Sequence, residues 1–102
     1  MTIVEMLKRS RERIARGWCQ DSYAEDKEGR RTSPLSNFAC AWCMMGALRP
    51  EGIECMAAEP FLRRLVPHHA LAQFNDAPGR TQAEVLAVYD KAIAMAEAEE
   101  KQ

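Results

Sequence analysis

Residues 74–84 constrain the fold more than any other stretch, because one helix must end and another must begin within them. The Asn-Asp and Pro-Gly pairs at 75–79 suit a tight turn: Asn and Asp tolerate left-handed backbone, Pro fixes φ and Gly allows a positive φ. Thr81 and Glu84 then have the spacing of a capping box, in which each side chain accepts the other residue's backbone N–H. The stretch predicts a short connection between two helices.

Two amphipathic helices are predicted near the ends of the chain, at residues 3–16 and at about 82–99. Thr2 and Glu5 repeat the capping-box spacing, and Gly17 stands where a left-handed helix cap is expected. The apolar stripe of the last helix is formed by Val85, Leu86, Tyr89, Ala92, Ile93 and Ala96.

The middle of the chain predicts a central apolar helix at residues 38–48, where nearly every side chain is apolar. Residues 18–32 lack helical period and predict a small hairpin around an Asp-Lys-Glu-Gly turn. A less regular helical region at 53–66, interrupted at Pro60, and a short helix or turn at 68–74 follow. The predicted class is therefore mainly α, or α+β if the hairpin pairs, with about four helices around the central one.

The length of 102 residues predicts one domain, residues 1–102, with a charged tail at about 97–102. Apolar residues make up 47% and charged residues 28%, which is typical of a soluble globular protein. No apolar run approaches the roughly 20 residues that span a bilayer, and the amino terminus does not resemble a secretory signal. We therefore expect no membrane partner, a cytoplasmic location and reduced thiols.

Several motifs together resemble a known group of sequences. They are Trp18, Tyr23-Ala24, the Gly29 turn, the run from Cys40 to Leu48, the Asn-Asp-Ala-Pro-Gly-Arg-Thr turn from Asn75 to Thr81, Glu84-Val85-Leu86 and Asp90-Lys91-Ala92-Ile93. This pattern resembles an uncharacterised family of small bacterial and phage proteins, a domain of unknown function. The resemblance implies one domain over most of the chain and brings no activity with it.

Cys40 and Cys43 form a Cys-x-x-Cys pair, a spacing that suits a metal or a redox couple. His68 and His69, with Cys19 and Cys55, could complete a zinc site, although they do not supply a second close pair at finger-like spacing. The surrounding residues are strongly apolar, so we favour core packing of the thiols and predict no cofactor, with zinc as the alternative.

Asn75, Asp76 and Arg80 are the candidate binding residues, because turn chemistry alone does not require all three. An arginine before a helix start can hold an anion beside free backbone amides, although a salt bridge across the turn is the simpler use. Trp18 and Trp42 are predicted core anchors. No catalytic residue is predicted.

The leading functional hypothesis is a small non-enzymatic interaction protein, of phage or mobile-element origin, that contacts another protein or itself. Val88 and Met95, one heptad apart on the last helix, are the candidate partner surface if they are exposed. The first alternative is a thiol or metal protein built on Cys40 and Cys43. The second is nucleic-acid contact through the basic residues of the first helix, which are Lys8, Arg9, Arg11, Arg13 and Arg16.

Overall fold

The computed structural model describes residues 1–101, which form four α-helices, two 3-10 helices and one two-stranded sheet. In chain order they are α1 (Ile3–Arg16), β1 (Ala24–Glu25), β2 (Ala41–Trp42), a first 3-10 helix (Gly46–Glu51), α2 (Cys55–Arg63), a second 3-10 helix (Pro67–His69), α3 (Leu71–Asp76) and α4 (Gln82–Glu100). The predicted class, mainly helical with a small β part, is confirmed.

Both long helices begin at the predicted capping boxes. At α1, Thr2 Oγ1 accepts the Glu5 N–H at 3.1 Å, and Glu5 Oε1 accepts the Thr2 N–H at 3.0 Å. At α4, Glu84 Oε1 accepts the Thr81 N–H at 2.9 Å, and Thr81 Oγ1 accepts the Glu84 N–H at 3.2 Å. These local bonds satisfy amides that have no partner within the helix, which is why the sequence alone located both starts.

Helices α1 and α4 pack antiparallel. Gln82 at the start of α4 donates its side-chain N–H to the carbonyl of Ile14 near the end of α1, at 2.7 Å. Lys8 pairs with Glu97 at 3.6 Å farther along. Between the two helices lies much of the core, including Leu7, Ile14, Val85, Tyr89 and Ala92, all of which are fully buried.

A buried polar chain links α1, α4 and the turn after β2. The Tyr89 hydroxyl donates to the Met44 carbonyl at 2.7 Å and lies 2.6 Å from Ser10 Oγ, which is therefore its donor. Burial raises the pKa of Tyr89, so the phenol remains neutral and able to donate. The three residues are fully buried, and each hydroxyl has its partner.

The prediction of a central helix at residues 38–48 was wrong. Phe38 is 80% exposed, Ala41–Trp42 is a strand, and a 3-10 helix begins only at Gly46. The backbone of this run bonds to distant segments instead: the Cys40 N–H donates to the Glu25 carbonyl at 2.9 Å, and the Trp42 N–H donates to the Gly17 carbonyl at 3.0 Å. The apolar run therefore enters the core from Trp42 onward, as a short strand, a turn and a 3-10 helix instead of one α-helix.

Two glycines make these crossings possible. A Cβ on Gly17 would lie 2.0 Å from the carbonyl oxygen of Cys40, and one on Gly46 would lie 1.9 Å from that of Tyr23. Gly17 has φ −173° and is extended, so the predicted left-handed cap was wrong. Its hydrogen side chain is needed for close backbone approach.

The predicted hairpin is only partly present. The turn at 26–29 forms, with Gly29 at φ 78° donating its N–H to the Asp26 carbonyl at 2.9 Å. The returning chain makes a single antiparallel bridge between Glu25 and Arg31. The main partner of β1 is β2, in antiparallel register with Ala24 opposite Trp42.

The remaining helical predictions needed smaller corrections. Pro60 does not interrupt α2, which runs from Cys55 to Arg63 although the proline lacks one helical N–H. The segment at 68–74 splits into a 3-10 turn and α3. The charged tail at 97–102 is helical through Glu100, and Gln102 lies outside the described residues. Within residues 1–101, every helix is too short or too polar to cross a membrane.

Candidate functional site

Asn75, near the end of α3, joins three segments of the chain through its side chain, which is 1% exposed. Its Oδ1 accepts the indole N–H of Trp18 at 2.8 Å and the backbone N–H of Met44 at 3.1 Å. Its Nδ2 donates to the Cys19 carbonyl at 3.1 Å and to Asp76 Oδ1 at 2.9 Å. Both acceptor positions and both donors of the amide are therefore used.

A second set of bonds fastens the segment after Trp18 to the same helix end. Gln20 Nε2 donates to the carbonyls of Asn75 and Ala77, at 3.0 and 3.1 Å. The Asp21 N–H donates to Asp76 Oδ1 at 2.9 Å. Asp21 has φ 67°, a left-handed conformation that aspartate tolerates better than most residues.

An open groove of about 600 Å³ lies beside these contacts, and we call it the Asn75 groove. Its volume falls within the range of about 300–1,000 Å³ that is usual for ligand sites. The groove is lined by residues 21–23, by residues 31–34, by Cys43 and Met45, and by Leu71, Ala72, Asn75 and Asp76 from α3. No single element forms this cavity, and Asn75 joins its α3 side to the segments at Trp18–Cys19 and Met44.

The groove combines charges, hydroxyl groups and an apolar surface. Asp21 and Asp76 bring two carboxylates to one side, and Arg31 brings one guanidinium from the returning chain. Hydroxyl groups come from Ser22, Tyr23, Thr32 and Ser33, and apolar surface comes from Pro34, Met45, Leu71 and Ala72. Such a lining can hold an amphipathic ligand through both polar and apolar contacts.

The two thiols near the groove are not activated. Cys43 Sγ accepts the Gly46 N–H at 3.3 Å, and burial raises the pKa of Cys43. Burial, with smaller contributions from the nearby carboxylates of Glu25 and Asp76, raises the pKa of Cys19 to about 11. Because only the thiolate is a good nucleophile or metal ligand, this environment opposes thiol chemistry at neutral pH.

The sequence model of one protein family, described as a family of unknown function (DUF6197), matches residues 1–95. The chain belongs to DUF6197. No curated protein and no solved structure matches this DUF6197 chain significantly. All residues that line the Asn75 groove fall within the matched part.

Arg80 of the DUF6197 chain is separated from the other two candidate binding residues. Its Nε donates to the Phe74 carbonyl at 2.8 Å, and its guanidinium lies 3.7 Å from the centre of the Phe74 ring. Its Nη1 also lies 3.4 Å from Glu84 Oε2. Arg80 therefore fastens the turn, and it lines a smaller cavity of about 190 Å³ instead of the Asn75 groove.

The four residues of the thiol or metal hypothesis are placed differently from one another. Cys40 is exposed, Cys43 is buried, and His68 and His69 are exposed in a left-handed turn with φ 58° and 57°. The His69 ring Nδ1 lies 3.1 Å from the Arg63 carbonyl, so it is held by the backbone. In the described part of the chain, no three His, Cys, Asp or Glu residues are grouped as a metal site requires.

The basic residues of α1 contact other residues of the same chain, mostly at its surface. Lys8 pairs with Glu97, Arg11 with Asp90, and both Arg9 and Arg13 with Glu51. The Arg16 guanidinium lies 5.7 Å from the centre of a Trp42 ring. These pairings lower the net positive charge that α1 presents to solvent and so do not favour binding to a phosphate backbone.

Val88 and Met95 do not form an exposed patch. Val88 is 8% exposed and belongs to the core, while Met95 is partly buried and packs against the same core. The exposure on which their proposed partner role depended is therefore missing at Val88. Trp42 is buried and Trp18 is partly buried against the core, which agrees with their predicted anchoring role.

Sequence reasoning singled out Asn75 and Asp76 but missed the residues that face them. Asp21, Tyr23, Arg31 and Thr32 belong to the predicted hairpin, and Ser33 and Pro34 follow it. A signal was present in the density of hydroxyl and turn-forming residues at 31–37, which is unusual for a strand. What could not be read from the sequence is that this loop lies opposite α3.

Proposed function

We propose that this protein is a small interaction protein that binds a short segment of a partner protein in the Asn75 groove. The observation that carries the proposal is an open cavity of about 600 Å³, in which a fully hydrogen-bonded, buried asparagine fastens the α3 side to the segments at Trp18–Cys19 and Met44. A site that is partly held in place before binding loses less conformational entropy when its ligand binds.

The rim of the groove supports a peptide in preference to a smaller ligand. Tyr23 lines the groove and is 49% exposed. Leu35 and Phe38 follow the Pro34 wall in the chain and are 68% and 80% exposed. Tyr23 therefore adds exposed aromatic surface to the lining, and the exposed side chains that follow Pro34 in the chain add apolar surface outside it, which suits a partner larger than the cavity.

Selection from a random-peptide display library tests the proposal. The variant Ala72→Trp places a large ring in the groove, since Ala72 lines it and is exposed. The matched control is Ala94→Trp, which adds the same ring at an exposed position of α4. We expect enriched peptides that bind the unmodified protein and the control but bind Ala72→Trp at least about tenfold more weakly, a loss of about 1.4 kcal/mol.

Two results would contradict the proposal. One is a selection that enriches no peptide although the protein is folded, as judged by cooperative urea unfolding. The other is a set of peptides that bind Ala72→Trp as well as they bind Ala94→Trp, because such peptides would occupy another surface.

A further inference from the structure

The Asp76 carboxylate is oriented by the fold but is not neutralised by it. Its Oδ1 accepts two hydrogen bonds, from the Asp21 N–H and from Asn75 Nδ2, both at 2.9 Å. Among residues 1–101, Asp76 forms no ion pair, and its Oδ2 has no hydrogen-bond partner. A carboxylate that is held in one orientation and has one oxygen without a partner in the protein is preorganised to accept a hydrogen bond from a charged N–H group.

The charges around Asp76 add to this preference. Asp21 contributes a second carboxylate to the groove, against the single guanidinium of Arg31. A third carboxylate lies nearby, because Ser22, which lines the groove, donates its hydroxyl to Glu25 Oε2 at 3.3 Å. One further guanidinium lies close by as well, since that of Arg49 is 5.1 Å from the centre of the Tyr23 ring. Three carboxylates against two guanidinium groups leave the surroundings net negative, which complements a cation.

The apolar surface beside Asp76 suits the stem of a long basic side chain. Leu71 and Ala72 precede Asp76 in α3, and Met45 lines the same groove. Lysine and arginine bury their methylene groups along such surfaces while the charged end reaches a polar partner. The apolar residues of the lining complement the methylene stem of such a side chain, and the carboxylates complement its charged end.

We propose that the partner segment bound in the Asn75 groove inserts a lysine or arginine side chain whose charged end binds Asp76, with Asp21 as the second acceptor. This rests on the proposed function, since it names the chemistry of the segment that the groove binds. The partner is therefore a protein with an exposed, extended segment that carries a basic residue beside apolar ones.

Isosteric variants test this without damaging the fold. In Asp76→Asn the side-chain oxygen can still accept the Asp21 N–H, and Asp21→Asn retains a residue type that tolerates a left-handed φ. Glu12→Gln is the matched control, because it removes one negative charge at an exposed position of α1. Urea midpoints of all three variants establish that they remain folded.

The probes are peptides recovered by the display selection, synthesised with blocked ends, together with versions in which arginine is replaced by citrulline or lysine by norleucine. We expect the enriched peptides to share a basic residue. Binding should weaken at least about tenfold in Asp76→Asn and by a smaller factor in Asp21→Asn, and should stay within about twofold in Glu12→Gln. Neutralising the basic residue of the peptide should cause a similar loss, and Asp76→Asn should then add little.

The outcomes separate this inference from the proposed function. Peptides that are sensitive to Ala72→Trp but lack a basic residue, or that bind Asp76→Asn normally, would overturn the inference and leave the groove as a peptide site. A selection that yields no peptide dependent on the groove would overturn both.

Discussion

Replacement of Asn75 is the perturbation for which the structure gives the most definite expectation. In Asn75→Ala, the Met44 N–H and the Cys19 carbonyl both lose their side-chain partner in a buried environment. The indole N–H of Trp18 also loses its acceptor, but Trp18 is only partly buried and water can replace the bond. Asp76 keeps the bond from Asp21.

The magnitude follows from the two groups that remain buried. An unsatisfied buried donor or acceptor costs about 1–3 kcal/mol, so Asn75→Ala should lower the free energy of unfolding by roughly 2–6 kcal/mol. This is a large part of the roughly 5–15 kcal/mol that stabilises a typical domain. Partial entry of water at Cys19 would move the result toward the lower value.

Urea unfolding followed by tryptophan fluorescence measures this loss at neutral pH. The matched control is Gln73→Ala, an exposed side chain in the same short helix, which should change the free energy of unfolding by less than about 0.5 kcal/mol. If Asn75→Ala costs less than about 1 kcal/mol, the amide does not join the three segments as the hydrogen bonds indicate.

The variant Asn75→Asp separates bonding from packing, because it preserves size and the acceptor oxygen but removes the donor. It also places a second carboxylate 2.9 Å from Asp76 Oδ1 in a buried site. Burial and like charge both raise the pKa of the introduced group in the folded state, so the loss of stability should be largest at neutral pH. It should shrink as pH falls toward about 4, where the unfolded chain also binds the proton. A loss that does not depend on pH would argue against burial of the introduced charge.

Three further expectations follow. Gly46→Ala should lower the free energy of unfolding in urea by about 3 kcal/mol or more, because the new Cβ would lie 1.9 Å from the Tyr23 carbonyl oxygen. Gly29→Ala should cost only about 1–2 kcal/mol, because Gly29 has φ 78° but its Cβ would enter open space. Equal losses in the two variants would contradict the close approach of the two backbones at Gly46. Tyr89→Phe should lower the free energy of unfolding by about 1–3 kcal/mol, because the Met44 carbonyl loses its donor; a neutral effect in the same assay would show that the bond contributes nothing. The free energy of unfolding should fall as pH rises above about 9, because the pKa of Cys19 is raised to about 11 in the folded protein and the unfolded chain releases this thiol proton at lower pH. Thermal melting across this pH range measures the fall, and a melting midpoint that stays constant would contradict it.

The parts of the fold that the sequence predicted depend on local bonds. Helices α1 and α4 and the turn before Thr81 are each defined by residues within a few positions of one another, so capping rules and periodicity are sufficient. The apolar run at 38–48 failed for the opposite reason. Its backbone bonds go to Gly17, Tyr23 and Glu25, and no pattern within the run indicates those partners. A short apolar run does not by its period distinguish a buried helix from irregular buried chain.

The candidate site shows the same division. Asn75 and Asp76 were predicted as binding residues because the turn at 75–79 does not require both of these residue types, and both line the groove. Arg80 stood out for the same reason, yet its contacts with Phe74 and Glu84 are local ones that fasten the turn. The opposite wall, at residues 31–34, could not be predicted, because its position depends on the pairing of Glu25 with Arg31 and on where β2 crosses the core.

Asn75 and Asp76 are neighbours in sequence, but the structure gives them different tasks. All donors and acceptors of the Asn75 amide are bonded within the protein, so its replacement should lower the free energy of unfolding. It should also weaken ligand binding, because it loosens the segments that line the groove. Asp76 uses one oxygen for the fold and leaves the other available, so an isosteric amide there should preserve stability and change binding alone. Measurement of the free energy of unfolding and of peptide affinity for both variants would therefore distinguish a residue that stabilises the groove from one that binds the ligand. If Asp76→Asn were as destabilising as Asn75→Ala, Asp76 would belong to the scaffold, and the charge of the groove would need another explanation.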